Sequence, residues 1–266
     1  MKIKKYFVVG NPINHSLSPK IQNQWIKENN IDAVYDKIKL NDNQIKNFIQ
    51  NIKSQQIAGC NVTIPFKKIV IPFLDKLTLE AEQTQSVNTI VFDNGNLVGH
   101  NTDIAGFDKA IKSLNFNTKG KTVLILGAGG VVSSIIFALK KLGVSKIIVS
   151  NRTRLKAENL KILFNDIDVI EWGSLPDFDI IINATSLGLN NETINLDFSK
   201  TGKNKLFYDV IYNPQETNFL RKGKELGNKT ENGKLMFVYQ ALEAFKIWHN
   251  IKPKINNDIL KLLDND

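Results

Sequence analysis

Residues 122–153 read TVLILGAGGVVSSIIFALKKLGVSKIIVSNRT. Val123, Leu124, Ile125 and Leu126 form an unbroken apolar run, the mark of a strand covered on both faces. The run passes directly into Gly127, Ala128, Gly129 and Gly130, and an apolar helix follows over 131–142. Gly127 suits a tight strand-to-helix turn. Gly129 lets the backbone approach a pyrophosphate, whose charge the first amides of the next helix would meet. The sixth position of the usual glycine pattern is Val132, and Gly130 supplies an early glycine instead. A glycine triplet alone is a weak signal, because structural turns use the same residues. The strand before it and the helix after it give the dinucleotide reading its force. A second strand, 146–149, ends at Asn151, Arg152, Thr153 and Arg154, with Lys156 beyond. An NAD site commonly offers a carboxylate there to the ribose hydroxyls. Cations stand there instead, which suits a 2′-phosphate and makes NADP the expected cofactor. Arg154 and Lys156 also have a plainer reading, as charges on a solvated helix face.

Outward from this stretch the pattern predicts a helix over 104–114 before it and a helix over 154–163 after it. Strands at 180–183 and 206–210 and helices at 218–226 and 235–248 complete the second half. The first hundred residues also alternate. A strand at 6–9 precedes a helix over 19–29, with Ser18 placed to cap it and Pro19 in its first turn. A strand at 34–38 follows, then a helix over 43–51 with Ile45, Phe48, Ile49 and Ile52 on one face. The segment 56–62 leads into Pro65, a short helix is expected at 77–83, and a strand at 87–92 turns through Asp93, Asn94 and Gly95. Alternation of this kind predicts an α/β protein with parallel sheet and crossovers.

Bulk properties narrow the function. With 266 residues, 42% of them hydrophobic, the chain can bury one large core or two modest ones. The formal net charge is +9, but the 35 lysines and arginines are scattered and form no long basic run. That spread argues against a nucleic-acid partner and fits a lysine-rich surface or small anionic substrates. The N-terminus, Met1 to Tyr6, is basic and leads into a short apolar run without the core of a signal peptide. No apolar stretch approaches membrane-spanning length, so no membrane association is expected. One cysteine, Cys60, cannot make an internal disulfide; its apolar neighbours place it in a buried strand, and a cytoplasmic location is expected. Three histidines and one cysteine supply a metal site poorly, and none is expected.

Three polar clusters stand out in the first half, each following a strand-like segment. The first runs from Asn11 to Pro19 and holds His15, Ser16 and Ser18. The second is Asn61, Val62, Thr63, Ile64, Pro65, Phe66 and Lys67. The third joins Asn88 and Thr89 to His100, Asn101, Thr102 and Asp103. Hydroxyls, amides, one lysine and one aspartate suit a ligand with several hydroxyls and a carboxylate, although each cluster alone reads equally as turn chemistry.

In order along the chain, GNPINHSLSP (10–19), NVTIPFK (61–67), SVNT (86–89), GHNTDIAGF (99–107), GAGG (127–130), NRT (151–153), NATSLGL (183–189) and DVIYNPQETNFL (209–220), with Gly233, Met236 and Gln240, resemble the shikimate dehydrogenase family. The resemblance implies an N-terminal α/β substrate-binding domain, 1–103 rejoined by 238–266, and a Rossmann-type NADP-binding domain, 104–237. It implies that Ser16 and Ser18 bind the substrate carboxylate, with Tyr212 near it. Asn61, Thr63, Asn88 and Gln240 would hold ring hydroxyls or close the pocket, and Lys67 and Asp103 would be the pair at the reacting centre. Gly127, Ala128, Gly129, Gly130 and Val131 would hold the cofactor phosphates, and Asn151, Arg152, Thr153 and Lys156 the adenosine end. Thr185, Val210, Gly233 and Met236 would complete the cofactor site. The chain departs from the family at Val131, where a small residue is usual, and at Phe237, where leucine is. The implied reaction is reduction of 3-dehydroshikimate by NADPH, in a monomer or homodimer. A quinate/shikimate enzyme working oxidatively, with NAD, and a nucleotide-sensing protein on the same fold are the rival readings.

Overall fold

Apolar strands and amphipathic helices alternate along the chain and build two six-stranded sheets. A computed structural model describes residues 3–264. Residues 1, 2, 265 and 266, which the expected domain bounds and the N-terminal reading include, lie outside the described residues. Two compact units result: residues up to Gly106 together with those from Val238 onward, and Phe107–Phe237.

The first unit opens with β1 (Lys4–Gly10), α1 (Ser18–Glu28), β2 (Ala33–Lys39), α2 (Asp42–Lys53), β3 (Gly59–Val62) and α3 (Phe66–Ile69). After a turn of 3-10 helix at Ile71–Phe73 come β4 (Lys76–Leu77), α4 (Leu79–Thr84), β5 (Thr89–Asp93), β6 (Asn96–His100) and the start of α5 (Asp103–Ser113). The apolar stripe of α2 is as expected: Ile45, Phe48, Ile49 and Ile52 are buried in one cluster with Val9, Cys60 and Val62. Full burial of such a side chain stabilises by about 1.5–3 kcal/mol, which makes this face, rather than helix propensity, the reason α2 is held. The α1 helix starts one residue earlier than expected. Leu17, not Ser18, is its cap residue, and no side chain caps it. Ser18 is thereby free for other partners. Leu77 belongs to the two-residue strand β4, and Thr78 caps α4 by accepting from the Ala81 amide at 3.4 Å.

The sheet order is β2-β1-β3-β5-β6-β4. It is mixed rather than parallel. β1, β2 and β3 run together, but β5 is antiparallel to β3 and forms a hairpin with β6. Asn94 and Gly95 turn that hairpin with φ of 47° and 79°, the left-handed pair a tight hairpin asks for.

The second unit contains β7 (Thr122–Leu126), α6 (Val132–Lys141), β8 (Lys146–Ser150), α7 (Arg154–Leu163), β9 (Asp168–Ile170), β10 (Ile180–Asn183), β11 (Leu206–Asp209), α8 (Asn218–Glu225) and β12 (Lys229–Glu231). Its sheet is parallel throughout, ordered β12-β11-β10-β7-β8-β9. Counted from β7, this is the doubly wound dinucleotide-binding order, with its reversal between β7 and β10. Leu124, Leu126, Ile181 and Phe207 are fully buried in its core, as their continuous apolar runs require. The chain then returns to the first unit through α9 (Lys234–His249) and α10 (Asn257–Lys261). There Gln22 donates to the Ala241 carbonyl at 3.0 Å, the Trp25 indole to Lys254 at 3.1 Å and the Trp248 indole to Ile90 at 3.2 Å.

Candidate active site

The mixed sheet decides where the first unit's polar residues meet. Thr63 follows the carboxyl end of β3, and Asn101 to Asp103 follow that of β6. Asn88 precedes its strand instead of following it, contrary to the sequence reading. Because β5 runs backwards, the register Asn61↔Thr89↔His100 brings Asn88 to the same sheet edge.

At that edge Lys67 Nζ lies 2.5 Å from Asp103 Oδ2, with side-chain exposures of 12% and 8%. Ion pairs this sheltered keep far more of their Coulomb attraction than surface pairs. The other carboxylate oxygen accepts from Asn88 Nδ2 at 2.9 Å, which also donates to Thr102 Oγ1 at 2.9 Å. Asn88 Oδ1 in turn accepts from the Thr102 amide at 2.8 Å and the Thr89 hydroxyl at 3.0 Å. Asp103 is further fixed where its amide donates to Asn101 Oδ1 at 3.2 Å. Asn61 joins the group from β3: its Nδ2 donates to the Asn88 carbonyl at 3.0 Å and to Thr89 Oγ1 at 2.9 Å, and its Oδ1 accepts from the Tyr35 hydroxyl at 2.7 Å. Both amide hydrogens of Asn61 are spent inside the protein, so toward a ligand it can act only as an acceptor. Burial pushes the Tyr35 phenol well above its usual range, while a hydrogen bond with Ser18 pulls the other way. Tyr35 therefore links Ser18 to Asn61. Ser16 Oγ accepts from the Ser18 amide at 3.4 Å. Thus Ser18, Asn61, Asn88, Lys67 and Asp103 are connected directly or through one another, and Ser16 and Thr63 lie on the same loops. Gln240 is on α9, one residue before the carbonyl that anchors α1.

In the second unit the glycine turn has the expected form. Gly127 adopts φ +112°, and a Cβ there would fall 2.7 Å from the Ala184 carbonyl, so the fold itself requires glycine. A Cβ on Gly129 would meet nothing nearer than that carbonyl at 3.9 Å. Protein packing does not ask for glycine at 129, whereas a close-lying pyrophosphate would. Val131 is the cap residue of α6, no side chain caps the helix, and the Val132 amide donates to the Gly129 carbonyl at 3.0 Å, so the positive end of the helix dipole begins directly after the glycines. At the end of β8, Arg154 is engaged by Glu158 and Glu171. Arg152 is exposed and, among the described residues, makes no ion pair; the Lys156 ammonium makes none either. Asn151 Nδ2 holds the Thr153 carbonyl at 2.7 Å. These features fit a dinucleotide with a 2′-phosphate. Thr185 follows β10 and is held by Asn183, Val210 follows β11, and Gly233 donates its amide to Ile211 at 3.0 Å. Met236 is buried on α9. The Tyr212 ring stacks on Phe237 with centroids 4.7 Å apart, which gives the phenylalanine that departs from the family a partner of its own kind.

Sequence reasoning gave no role to Tyr35, nor to Asn183, Asp209 and Thr217, although these three stand in the motifs NATSLGL and DVIYNPQETNFL. The last three form a buried group at the ends of β10 and β11, and nothing in their spacing announces it. Among the described residues no cluster of His, Cys, Asp and Glu could hold a metal, and no helix is long and apolar enough to cross a membrane.

Residues 8–90 match the family model of the shikimate dehydrogenase substrate binding domain, and residues 108–214 that of shikimate / quinate 5-dehydrogenase. The shikimate dehydrogenase (NADP(+)) of Pelagibacter ubique (strain HTCC1062) is 54% identical over 262 residues, covering 98% of this chain and 99% of that one. The crystal structure of shikimate dehydrogenase from Aquifex aeolicus superposes with a TM-score of 0.89 at 36% identity, covering 99% and 98% of the two chains. The shikimate 5-dehydrogenase of Thermus thermophilus, solved with NADP(H) and shikimate, gives 0.89 at 28% identity, covering 98% of each. With its dinucleotide-type sheet and its sheltered lysine–aspartate pair, the chain belongs to the shikimate dehydrogenase family.

Proposed function

We propose that this chain catalyses the reversible NADPH-dependent reduction of 3-dehydroshikimate to shikimate, a step of the shikimate pathway toward chorismate and the aromatic amino acids. The observation that carries the reading is the Lys67–Asp103 pair at 2.5 Å, in a chain 54% identical to an NADP-dependent shikimate dehydrogenase.

NADPH supplies the hydride. The protein has to hold the carbonyl and stabilise the charge that grows on its oxygen. Lys67 Nζ is the cation for that oxygen: it donates a hydrogen bond to the forming alkoxide and is the group from which a proton can pass. Asp103 orients Lys67 and accepts from the neighbouring ring hydroxyl. Asn88 keeps Asp103 Oδ1 in place at 2.9 Å. Asn61, limited to accepting, meets a ring hydroxyl as its hydrogen-bond acceptor, beside Thr63 and Gln240. Ser16 and Ser18, with Tyr212, serve the carboxylate. Gly127, Ala128, Gly129, Gly130 and Val131 hold the pyrophosphate, and Arg152 and Lys156 take the 2′-phosphate beside Asn151 and Thr153. Thr185, Val210, Gly233 and Met236 line the remainder of the cofactor site. On this reading residues 1–103 with 238–266 bind substrate and 104–237 bind NADP, in a cytoplasmic monomer or homodimer with no nucleic-acid partner.

Initial rates of shikimate and quinate oxidation, each with NADP⁺ and NAD⁺, test the proposal. Shikimate with NADP⁺ is expected to be fastest. A preference for quinate with NAD⁺ would replace it with the oxidative reading, and nucleotide binding without turnover would replace it with a sensor.

A further inference from the structure

Asp209 closes β11 with no solvent exposure, and its partners are all neutral. Its carboxylate accepts from the Thr217 hydroxyl at 2.7 Å, the Ile211 amide at 3.0 Å, and Asn183 Nδ2 at 3.1 Å to both oxygens. Burial pushes its pKa up to about 6, while the three donors hold it lower than burial alone would. At neutral pH the fold therefore keeps a buried anion without a counter-ion, an arrangement that costs stability and calls for a reason outside packing.

The bonding pattern supplies one. Asn183, equally buried at the end of β10, accepts the Thr185 amide at 3.1 Å and the Thr185 hydroxyl at 2.7 Å, and donates to the Leu187 carbonyl at 3.0 Å. Thr185 Oγ1 then accepts from the Leu187 amide at 3.0 Å. The loop so ordered abuts the glycine turn: a Cβ on Gly127 would lie 2.7 Å from the Ala184 carbonyl and 3.1 Å from Thr185 Cγ2. On its other side the same loop touches Thr217, which a Cβ on Gly188 would meet at 3.1 Å. One carboxylate thus joins the segment after β10 to the segment after β11, and through Thr185 supports the wall of the glycine turn. Glu192, which holds the Gly188 and Asn190 amides within the first of those segments, is by contrast exposed.

We infer that Asp209 is a positioning residue for the dinucleotide, fixing the two loops that carry Thr185, Val210 and Tyr212 against the glycine turn. Asn183 and Thr217 act with it. The inference rests on the reading of Gly127 to Val131 as the NADP site. Its hydrogen bonds all lie within the second unit, so its effect falls chiefly on cofactor affinity.

The test is an equilibrium titration of the full-length protein with NADPH, followed by cofactor fluorescence in the absence of substrate. Asp209→Asn keeps the side-chain shape but sets an amide donor against the donors of Asn183 and Thr217. It is expected to weaken NADPH binding about tenfold. Thr217→Val removes a single donor and is expected to weaken binding about threefold. The Michaelis constant for NADP⁺ should rise in parallel, while that for shikimate, which meets this loop only through Tyr212, should change less. Wild-type NADPH affinity in folded Asp209→Asn overturns the inference, even where its melting temperature falls, since that is the mark of a merely structural role. If Asp209→Asn does not fold, unchanged affinity in Thr217→Val overturns it. Wild-type protein that binds no NADPH overturns the cofactor reading itself, and is told apart by failing before any variant is made.

Discussion

Asp103 in the first unit and Asp209 in the second are both carboxylates nearly sealed from water, and they are held by opposite means. Asp103 has a cation 2.5 Å away and one amide at its other oxygen. Asp209 has a hydroxyl, a backbone amide and an asparagine, and no cation. A carboxylate that shares a site with a lysine orients that lysine and leaves it able to turn a hydrogen toward a ligand. A carboxylate surrounded by short neutral donors has nothing to give away, and what it can do is hold backbone. The contrast separates chemistry from scaffolding in two residues that look alike in the sequence.

Breaking the first member should have the larger effect. Lys67→Ala removes the cation at the reacting oxygen and is expected to lower turnover in shikimate oxidation by about 10²–10⁴-fold, with the Michaelis constant much less affected. Asp103→Ala should be severe as well, and the double variant should lose less than the product of the single losses, because the pair works as a unit. Near-normal turnover in Lys67→Ala, with native circular dichroism, removes its catalytic role.

Asp209 is expected to show itself in stability. Its folded-state pKa of about 6 lies above the ordinary 3.8. The folded protein therefore holds this proton more tightly than the unfolded chain. Stability contributed by that proton is complete below the ordinary value and is lost as pH rises through about 6, a change of roughly 3 kcal/mol. Urea unfolding of wild type and Asp209→Asn between pH 4 and pH 7 should show the wild type losing ground to the variant as pH rises. In the first unit His249 gives the reverse slope. Burial and the nearby Lys4 lower its pKa to about 4, so its contribution is present above the ordinary histidine value and lost as pH falls through about 4. His249→Phe should flatten the acid limb of the unfolding curve, and an unchanged limb would show that His249 does not contribute.

The smallest effects concern the two arginines after β8. Arg152→Ala should raise the Michaelis constant for NADP⁺ about tenfold and leave that for NAD⁺ unchanged. Arg154→Ala should change either constant less than about twofold, since exposed pairs such as Arg154 with Glu158 are worth about 0–1 kcal/mol. Equal responses from the two variants would dissolve the distinction drawn between a free and an engaged guanidinium.

Where one local signal suffices, the sequence is readable. The run from Val123 to Leu126 followed by glycines announces its strand, turn and helix, and Ile45, Phe48, Ile49 and Ile52 announce the buried face of α2. Direction is another matter. Nothing local in Thr89–Asp93 says that β5 runs antiparallel to β3; that follows from pairing with a distant strand and from the hairpin behind it. β4, β9 and β12 are two or three residues long and end their sheets, so they exist because a neighbour offers hydrogen bonds, not because of their own pattern. Ser18 reads as a cap because serine commonly is one, yet the helix begins at it and its hydroxyl goes to Tyr35. Lys67 and Asp103 are readable from the family motifs. Asp209 opens one of those motifs and Tyr35 stands in none, and the role of neither is readable, because each acts on a partner 26 residues away in sequence.

The reversed course of β5 has a practical consequence. Its amino end lies at the edge where Asn88 meets Asp103, so the tip at Asn94 and Gly95 is carried to the opposite edge of the sheet. Both tip residues are exposed, and a Cβ on Gly95 would meet nothing within 4 Å. A longer or shorter turn there would leave the reacting pair untouched, and an epitope or fluorophore inserted at that tip would report on the protein while leaving catalysis alone.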